Sequence, residues 1–159
     1  MRAKILEKHP DERGFFAEIV REDWKEFFED KMIVQLNLAK SYPGIIKAWH
    51  RHVRGQIDYV IVLQGSFKIV AYDDNEGSET IGQLQEIISS DEVLQVVRIP
   101  GHYWHGFKAI GDKPTLFVYG VSNLYDYRNP DEGRRPWDDP SIIDPRTKKP
   151  FDWNSPPHK

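Results

Sequence analysis

A series of short β-forming runs constrains this chain more than any other feature. They lie at residues 33–38, 45–50, 57–63, 67–72, 94–99 and 115–121. Turn chemistry separates several of them: Tyr42-Pro43-Gly44, Gln64-Gly65-Ser66 and Asp73-Asp74-Asn75-Glu76-Gly77. Runs this short bury little alone, so the pattern predicts an all-β sandwich or barrel. One helix is expected, over 22–30, where Trp24, Phe27 and Phe28 fall at i, i+3 and i+4 on one face, packed outside the sheets.

With 159 residues the chain has the size of one domain. Seven of its eleven prolines lie between Pro130 and Pro157, which excludes regular helix or central strand there. The expected organisation is a β-barrel over 1–128 and a Pro-rich extension over 129–159 that wraps it through Trp137, Ile142, Ile143, Phe151 and Trp153, with only 155–159 free. A net charge of −3 argues against a nucleic-acid binder, and no apolar run is long enough for a membrane helix. The absence of cysteine excludes disulfides, thiolate metal sites and cysteine nucleophiles. Residues 2–10 lack the apolar core of a secretory signal, so a cytoplasmic setting is expected.

Period two sorts the strand residues into faces. Gln35 and Asn37 take one side, and Val34, Leu36 and Leu38 the other. The next strand is expected to place Lys47 with Trp49, and Ile46, Ala48, His50 and His52 opposite. Four of six histidines then form two clusters, His50/His52 and His102/His105, which favours a polar cavity over a solvated outer face for Gln35 and Asn37. His9, His102 and His158 read as solvated.

Gly44, five residues, His50-x-His52, then Gln56 or Asp58, and Gly65, followed by Pro100-Gly101-His102-Tyr103-Trp104-His105, resemble the two motifs of the cupin superfamily. The resemblance implies a double-stranded β-helix, or jelly-roll barrel. In metal-binding cupins two histidines and a carboxylate of the first motif join a histidine of the second around one divalent ion. Here Asp58 comes later than the usual glutamate and is shorter.

A longer resemblance is to the dTDP-4-dehydrorhamnose 3,5-epimerase family of nucleotide-sugar cupins. Asp11-Glu12-Arg13-Gly14-Phe15-Phe16-Ala17-Glu18 is similar to its D-x-R-G-x-F-x-E segment, and Gln35-Leu36-Asn37 to its Q-x-N strand. Ile99-Pro100 through His105-Gly106-Phe107 resembles I-P-x-G-x-x-H-G-F. Tyr119, Tyr125 and Trp137-Asp138-Asp139-Pro140 match its paired tyrosines and its W-[ND]-D-P tail.

The resemblance implies an isomerase without cofactor or metal, acting as a homodimer whose N-terminal strand crosses to the partner. His50 stands where the family keeps its base and Tyr119 where it keeps its acid. Arg13, Phe15, Glu18, Gln35, Asn37, Lys47, His52, Asp58, His105 and Tyr125 are the expected substrate-binding residues. A 4-keto group acidifies the neighbouring C–H bonds, so an imidazole can remove a proton and a phenol can return one from the other ring face. Two departures stand out. Asp58 replaces a family lysine, and no counterpart is found to the aspartate that orients the base. His50-Arg51-His52 also resembles the H-A-H of nucleotide-sugar 3,4-ketoisomerases. A metal-dependent cupin built on His50, His52, Asp58 and His105, and a non-catalytic binding cupin, are the remaining alternatives.

Overall fold

The alternating runs pair into two five-stranded antiparallel sheets; the computed structural model describes residues 1–155. In spatial order the first sheet contains β1 (Arg2–Ile5), β9 (Gln95–Pro100), β6 (Ile57–Gln64), β11 (Thr115–Val121) and β4 (Gln35–Ser41). The second contains β12 (Gly133–Arg134), β5 (Ile46–Arg51), β10 (Trp104–Ile110), β7 (Ser66–Tyr72) and β8 (Leu84–Ser90). Two small hairpins, β2–β3 (His9–Asp11, Gly14–Phe16) and β13–β14 (Ile143–Asp144, Lys149–Pro150), complete this cupin-like, all-β architecture.

Between the sheets, Val60, Val62, Val97, Ile99 and Phe117 of the first meet Phe67, Ile69 and Ala109 of the second. Each of these eight is 3% exposed or less, so this is the dry end of the barrel interior. On the outer face of the first sheet, Phe28 and Tyr59 pack with ring centroids 5.0 Å apart, beside Leu6, Ile61, Val96 and Val118. The expected helix shrinks to one turn there, α1 (Lys25–Phe28). No side chain caps its start, and Glu29 leaves it at φ 58°, so the aromatic residues anchor a turn instead of a longer helix.

The Pro-rich segment covers the other outer face. Ile142, Phe151 and Trp153 bury Trp49, Val70 and Trp104 of the second sheet. Trp137, expected to contribute to this covering, is half exposed, and its carbonyl accepts the Trp49 indole N–H at 3.1 Å. The expectation of a free terminus falls, beyond Ser155, outside the described residues. Among the described residues no helix is long and apolar enough to cross a membrane.

The strands at 84–90 and 104–110 were not legible in the sequence. Glu86, Ser89 and Ser90 dilute the first, and Gly106 interrupts the second. That glycine is a packing requirement: a Cβ on it would lie 2.3 Å from Ala48 Cβ and 2.7 Å from the Lys47 carbonyl oxygen.

Candidate active site

Opposite the dry end, both sheets turn polar residues inward around a cavity of about 640 Å³. The first sheet supplies Gln35 and Asn37 from β4, Asp58 from β6 and Tyr119 from β11. The second supplies Lys47 and His50 from β5, His105 from β10 and Arg134 from β12. The expected base and acid, His50 and Tyr119, therefore line one cavity from different sheets. Tyr125 and Tyr127, their rings 4.9 Å apart, close it from the segment after β11.

β4 has the orientation expected of it, with Gln35, Asn37 and Ala39 lining the cavity. The Gln35 amide donates to Asn37 Oδ1 at 2.9 Å and Gln35 Oε1 accepts the Tyr125 backbone N–H at 3.0 Å, which ties the strand to the tyrosine segment. The faces of β5 differ from those expected. His105 pairs with His50 and Phe107 with Lys47, so two residues of β5, Ala48 and Trp49, stand opposite Gly106 alone. This bulge resets the alternation. Ile46, Ala48 and Trp49 pack on the outer cluster, whereas Lys47 joins His50 on the cavity side, its Nζ 5.9 Å from the centroid of Phe117.

Three imidazoles converge on one carboxylate. Asp58 Oδ2 lies 3.3 Å from His52 Nε2, 3.3 Å from His105 Nε2 and 3.8 Å from His50 Nε2. Asp58 Oδ1 accepts the Gln56 amide at 2.8 Å. His52 and His105 are fixed from behind: their Nδ1 atoms donate to the backbone carbonyls of Asp131 at 2.5 Å and Tyr103 at 2.8 Å. Gly101 backs this corner, its carbonyl accepting the His52 backbone N–H at 2.6 Å, and a Cβ there would sit 2.1 Å from the Gln56 carbonyl oxygen.

Burial, followed by the nearby His105, pushes the His50 imidazole down to about 4, with Asp58 opposing. His50 is thus a neutral base at ordinary pH. Burial raises the Tyr119 phenol, and the negative charge of Asp58 raises it further, so it keeps its proton. Burial would raise the Asp58 carboxyl, but the surrounding imidazoles outweigh it and hold it well below the usual range. For His52 burial acts downward, yet Asp58 and Asp131 together raise it. His50, His52, Asp58 and His105 are also the side chains able to hold a metal, with donor atoms all within 4.8 Å of one another.

Arg13, Phe15 and Glu18 stand apart from this cavity. Arg13 and Phe15 lie on the exposed β2–β3 hairpin, where Arg13 pairs with Asp11; Glu18, just beyond it, pairs with Arg21. Three charged residues absent from the sequence reading, Glu132, Arg134 and Arg135, line the cavity. Their signal was the charge density of Asp131-Glu132-Gly133-Arg134-Arg135, but nothing local indicated that β12 would pair with β5. Asp139 accepts from the Ser141 backbone N–H at 2.8 Å and lies 3.7 Å from Arg135 Nε, so it is engaged away from His50.

Comparison with known proteins places this geometry among nucleotide-sugar enzymes. The family model described as dTDP-4-dehydrorhamnose 3,5-epimerase matches residues 4–145. The chain is 43% identical over 153 residues to the probable low-salt glycan biosynthesis epimerase Agl13 of Haloferax volcanii, covering 96% of this chain and 92% of that protein. The crystal structure of a dTDP sugar isomerase from Desulfovibrio desulfuricans superposes with a TM-score of 0.81 at 27% identity, covering 96% of this chain and 89% of that one. The Legionella pneumophila epimerase RmlC, in complex with dTDP-4-keto-L-rhamnose, superposes with a TM-score of 0.77 at 29% identity, covering 88% and 74%.

Proposed function

The chain belongs to the dTDP-4-dehydrorhamnose 3,5-epimerase family, and we propose that it epimerises a nucleotide-linked 4-keto-6-deoxyhexose beside its ketone. The observation that carries this reading is the pairing, in one cavity, of an imidazole held neutral with a phenol held protonated. His50 takes a proton from the carbon next to the carbonyl, and the electron pair moves onto the ketone oxygen as an enolate. Tyr119 then gives its proton to the same carbon from the other ring face, inverting it, and the two side chains recover their protonation from solvent. Gln35, Asn37, Lys47, His105 and Tyr125 hold the sugar and phosphates in this scheme, with Arg134 and Arg135 as further anion-binding groups.

Incubating the protein with a dTDP-4-keto-6-deoxyhexose in deuterated water tests the reading. Deuterium should enter at C3 or C5, and His50→Ala should abolish its entry; a product whose ketone has moved to C3 would instead support the ketoisomerase alternative. That alternative needs both His50 and His52 for proton transfer, and the commitment of His52 to Asp131, Gln56 and Asp58 disfavours it.

The proposal includes a homodimer in a cytoplasmic setting. Val34, Leu36 and Leu38 form an apolar stripe more than half exposed along the outer face of β4, an edge strand, and Phe15 and Phe16 are equally exposed on the hairpin. Covering these surfaces with a second copy would let Arg13, Phe15 and Glu18 reach the partner's cavity. Light scattering should give twice the chain mass, falling to one chain mass in a Leu36→Glu/Leu38→Glu variant.

A further inference from the structure

Behind the cavity wall a carboxylate outside the proton-transfer scheme, Asp74, gathers donors from three segments. Its Oδ2 accepts from the Trp104 indole N–H at 2.8 Å and from Arg135 Nη2 at 2.7 Å, and its Oδ1 accepts from Arg51 Nη1 at 3.0 Å. Both guanidinium groups also lie over the Trp104 ring, Arg51 Cζ 4.5 Å and Arg135 Cζ 4.1 Å from its centroid. Trp104 is buried, and Asp74 and the two arginines are partly so. The loop that presents Asp74 is ordered by its own bonds. Asp73 accepts the Asn75 backbone N–H at 2.9 Å and the Thr80 hydroxyl at 2.6 Å, and its own N–H donates to the Gln83 carbonyl at 3.1 Å. Each donor to Asp74 is a chain neighbour of cavity residues. Arg51 stands between His50 and His52, Trp104 precedes His105, and Arg135 follows Arg134.

Neighbours along a strand point to opposite faces, so a side chain pinned behind the sheet fixes the direction of the one beside it. The backbone ladder is interrupted here. The β10–β5 register shifts between His105 and Phe107, which leaves the His105–His50 pair beyond the bulge, and β12 meets β5 through only Gly133–Arg51 and Arg134–His50. Asp74 ties Arg51 of β5, Trp104 of β10 and Arg135 beyond β12 to one point and so spans both junctions. Gly133 admits the close approach this needs: a Cβ on it would lie 3.3 Å from Arg51 Cγ and 3.4 Å from Trp104 Cη2. We propose that Asp74 is a positioning residue for the reaction, holding the three strands in the arrangement that aims His50, His105 and Arg134 into the cavity. The proposal rests on the epimerase reading. Asp74 does not itself line the cavity; it acts through its three donors. The spacing it sets is that of the His50 and His105 rings, whose centroids are 4.1 Å apart on adjoining strands. Its charge matters as well as its shape, because two guanidinium groups over one indole repel each other once the carboxylate between them is neutral.

The experiment compares the full chain with Asp74→Asn, which keeps the shape of the side chain and removes its charge, in the deuterium-incorporation assay with a dTDP-4-keto-6-deoxyhexose. Misplacing a reacting group by about 1 Å costs on the order of 10²-fold, so kcat should fall by roughly 10–100-fold, while KM changes far less. Arg51→Met keeps the apolar stem and removes one of the three donors; it should lower kcat by a smaller factor, and it carries the test if Asp74→Asn does not fold. A second readout needs no turnover: the ring ¹H–¹³C resonances of His50 and His105 should move in either folded variant. Unchanged kcat in folded Asp74→Asn, a loss confined to KM, or unmoved rings in both variants would overturn the proposal. Failure of the epimerase reading looks different. Moved rings in the variants with no exchange in the parent protein would overturn that reading while supporting the hold of Asp74 on the histidines.

Discussion

The two ends of the barrel interior are built on the same strands and differ completely in chemistry. β10 runs inward from His105 through Phe107 to Ala109, β6 from Asp58 through Val60 to Val62, and β11 from Tyr119 back to Phe117. On β10 and β6 four positions lead from a cavity side chain to one in the dry core, and on β11 Phe117 belongs to both, packed in the core and lining the cavity floor. The Phe117 and Tyr119 rings, two residues apart, have centroids 6.1 Å from each other and both line the cavity, but Phe117 is 1% exposed and packed into the core whereas Tyr119 is only half-buried. Packing at one end gives the strands a fixed register, and that register aims the polar side chains at the other. Stability and activity should therefore separate cleanly along single strands.

The largest separation is expected at the polar end. His50→Ala, and independently Tyr119→Phe, should lower deuterium incorporation by about 10²–10⁴-fold, the range for a lost general base or acid. The melting transition should stay near that of the parent protein; a variant that loses stability instead would mean that the polar end carries packing as well. At the dry end the pattern should reverse. Phe117→Ala removes a ring held between Phe67 and Phe107, with centroids 4.7 and 5.3 Å away, and should cost about 3–5 kcal/mol in denaturant unfolding. Its exchange rate per folded molecule should fall far less than in the His50 variant.

A smaller effect is expected at Asn37, whose amide donates to the Tyr119 carbonyl at 3.4 Å and accepts from Gln35. Asn37→Ala removes contacts worth about 0.5–1.5 kcal/mol, which should raise KM by roughly 2–12-fold with a smaller change in kcat. The smallest effect is one of pH. The general acid must carry its proton, and Tyr119 is raised above its ordinary value of 10.0, so activity should stay level through the mildly alkaline range and fall only as pH rises beyond 10. A decline well below that value, retained in Tyr119→Phe, would assign the acid to another group.

Much of the barrel was legible because a strand writes its two faces into alternate residues. The runs at 57–63 and 115–121 correspond closely to β6 and β11, and the polar residues Gln35 and Asn37 were assigned to a cavity that they do line. The exposed apolar stripe opposite them on β4 was not foreseen, since alternation shows that two faces differ but not what covers each. Lys47 was put on the wrong face because the β5 bulge arises from pairing with Gly106 on a strand more than fifty residues away. Arg13, Phe15 and Glu18 fit a family motif, yet in a single chain they lie on or just beyond a hairpin outside the cavity. Glu132, Arg134 and Arg135 escaped notice because an irregular, Pro-rich segment has no period from which to read a direction.

The sequence by itself determined the β class, the two faces of β4, and the histidines, tyrosine and amides available for chemistry. These follow from residue type and spacing over a few positions, where the backbone geometry is nearly fixed. Only the tertiary structure decided that three imidazoles meet on the single carboxylate of Asp58, that Lys47 turns inward, and that the Pro-rich extension forms part of the cavity wall. Those outcomes depend on the register of strands far apart in the chain, which is set by packing of the whole barrel rather than by any local run of residues.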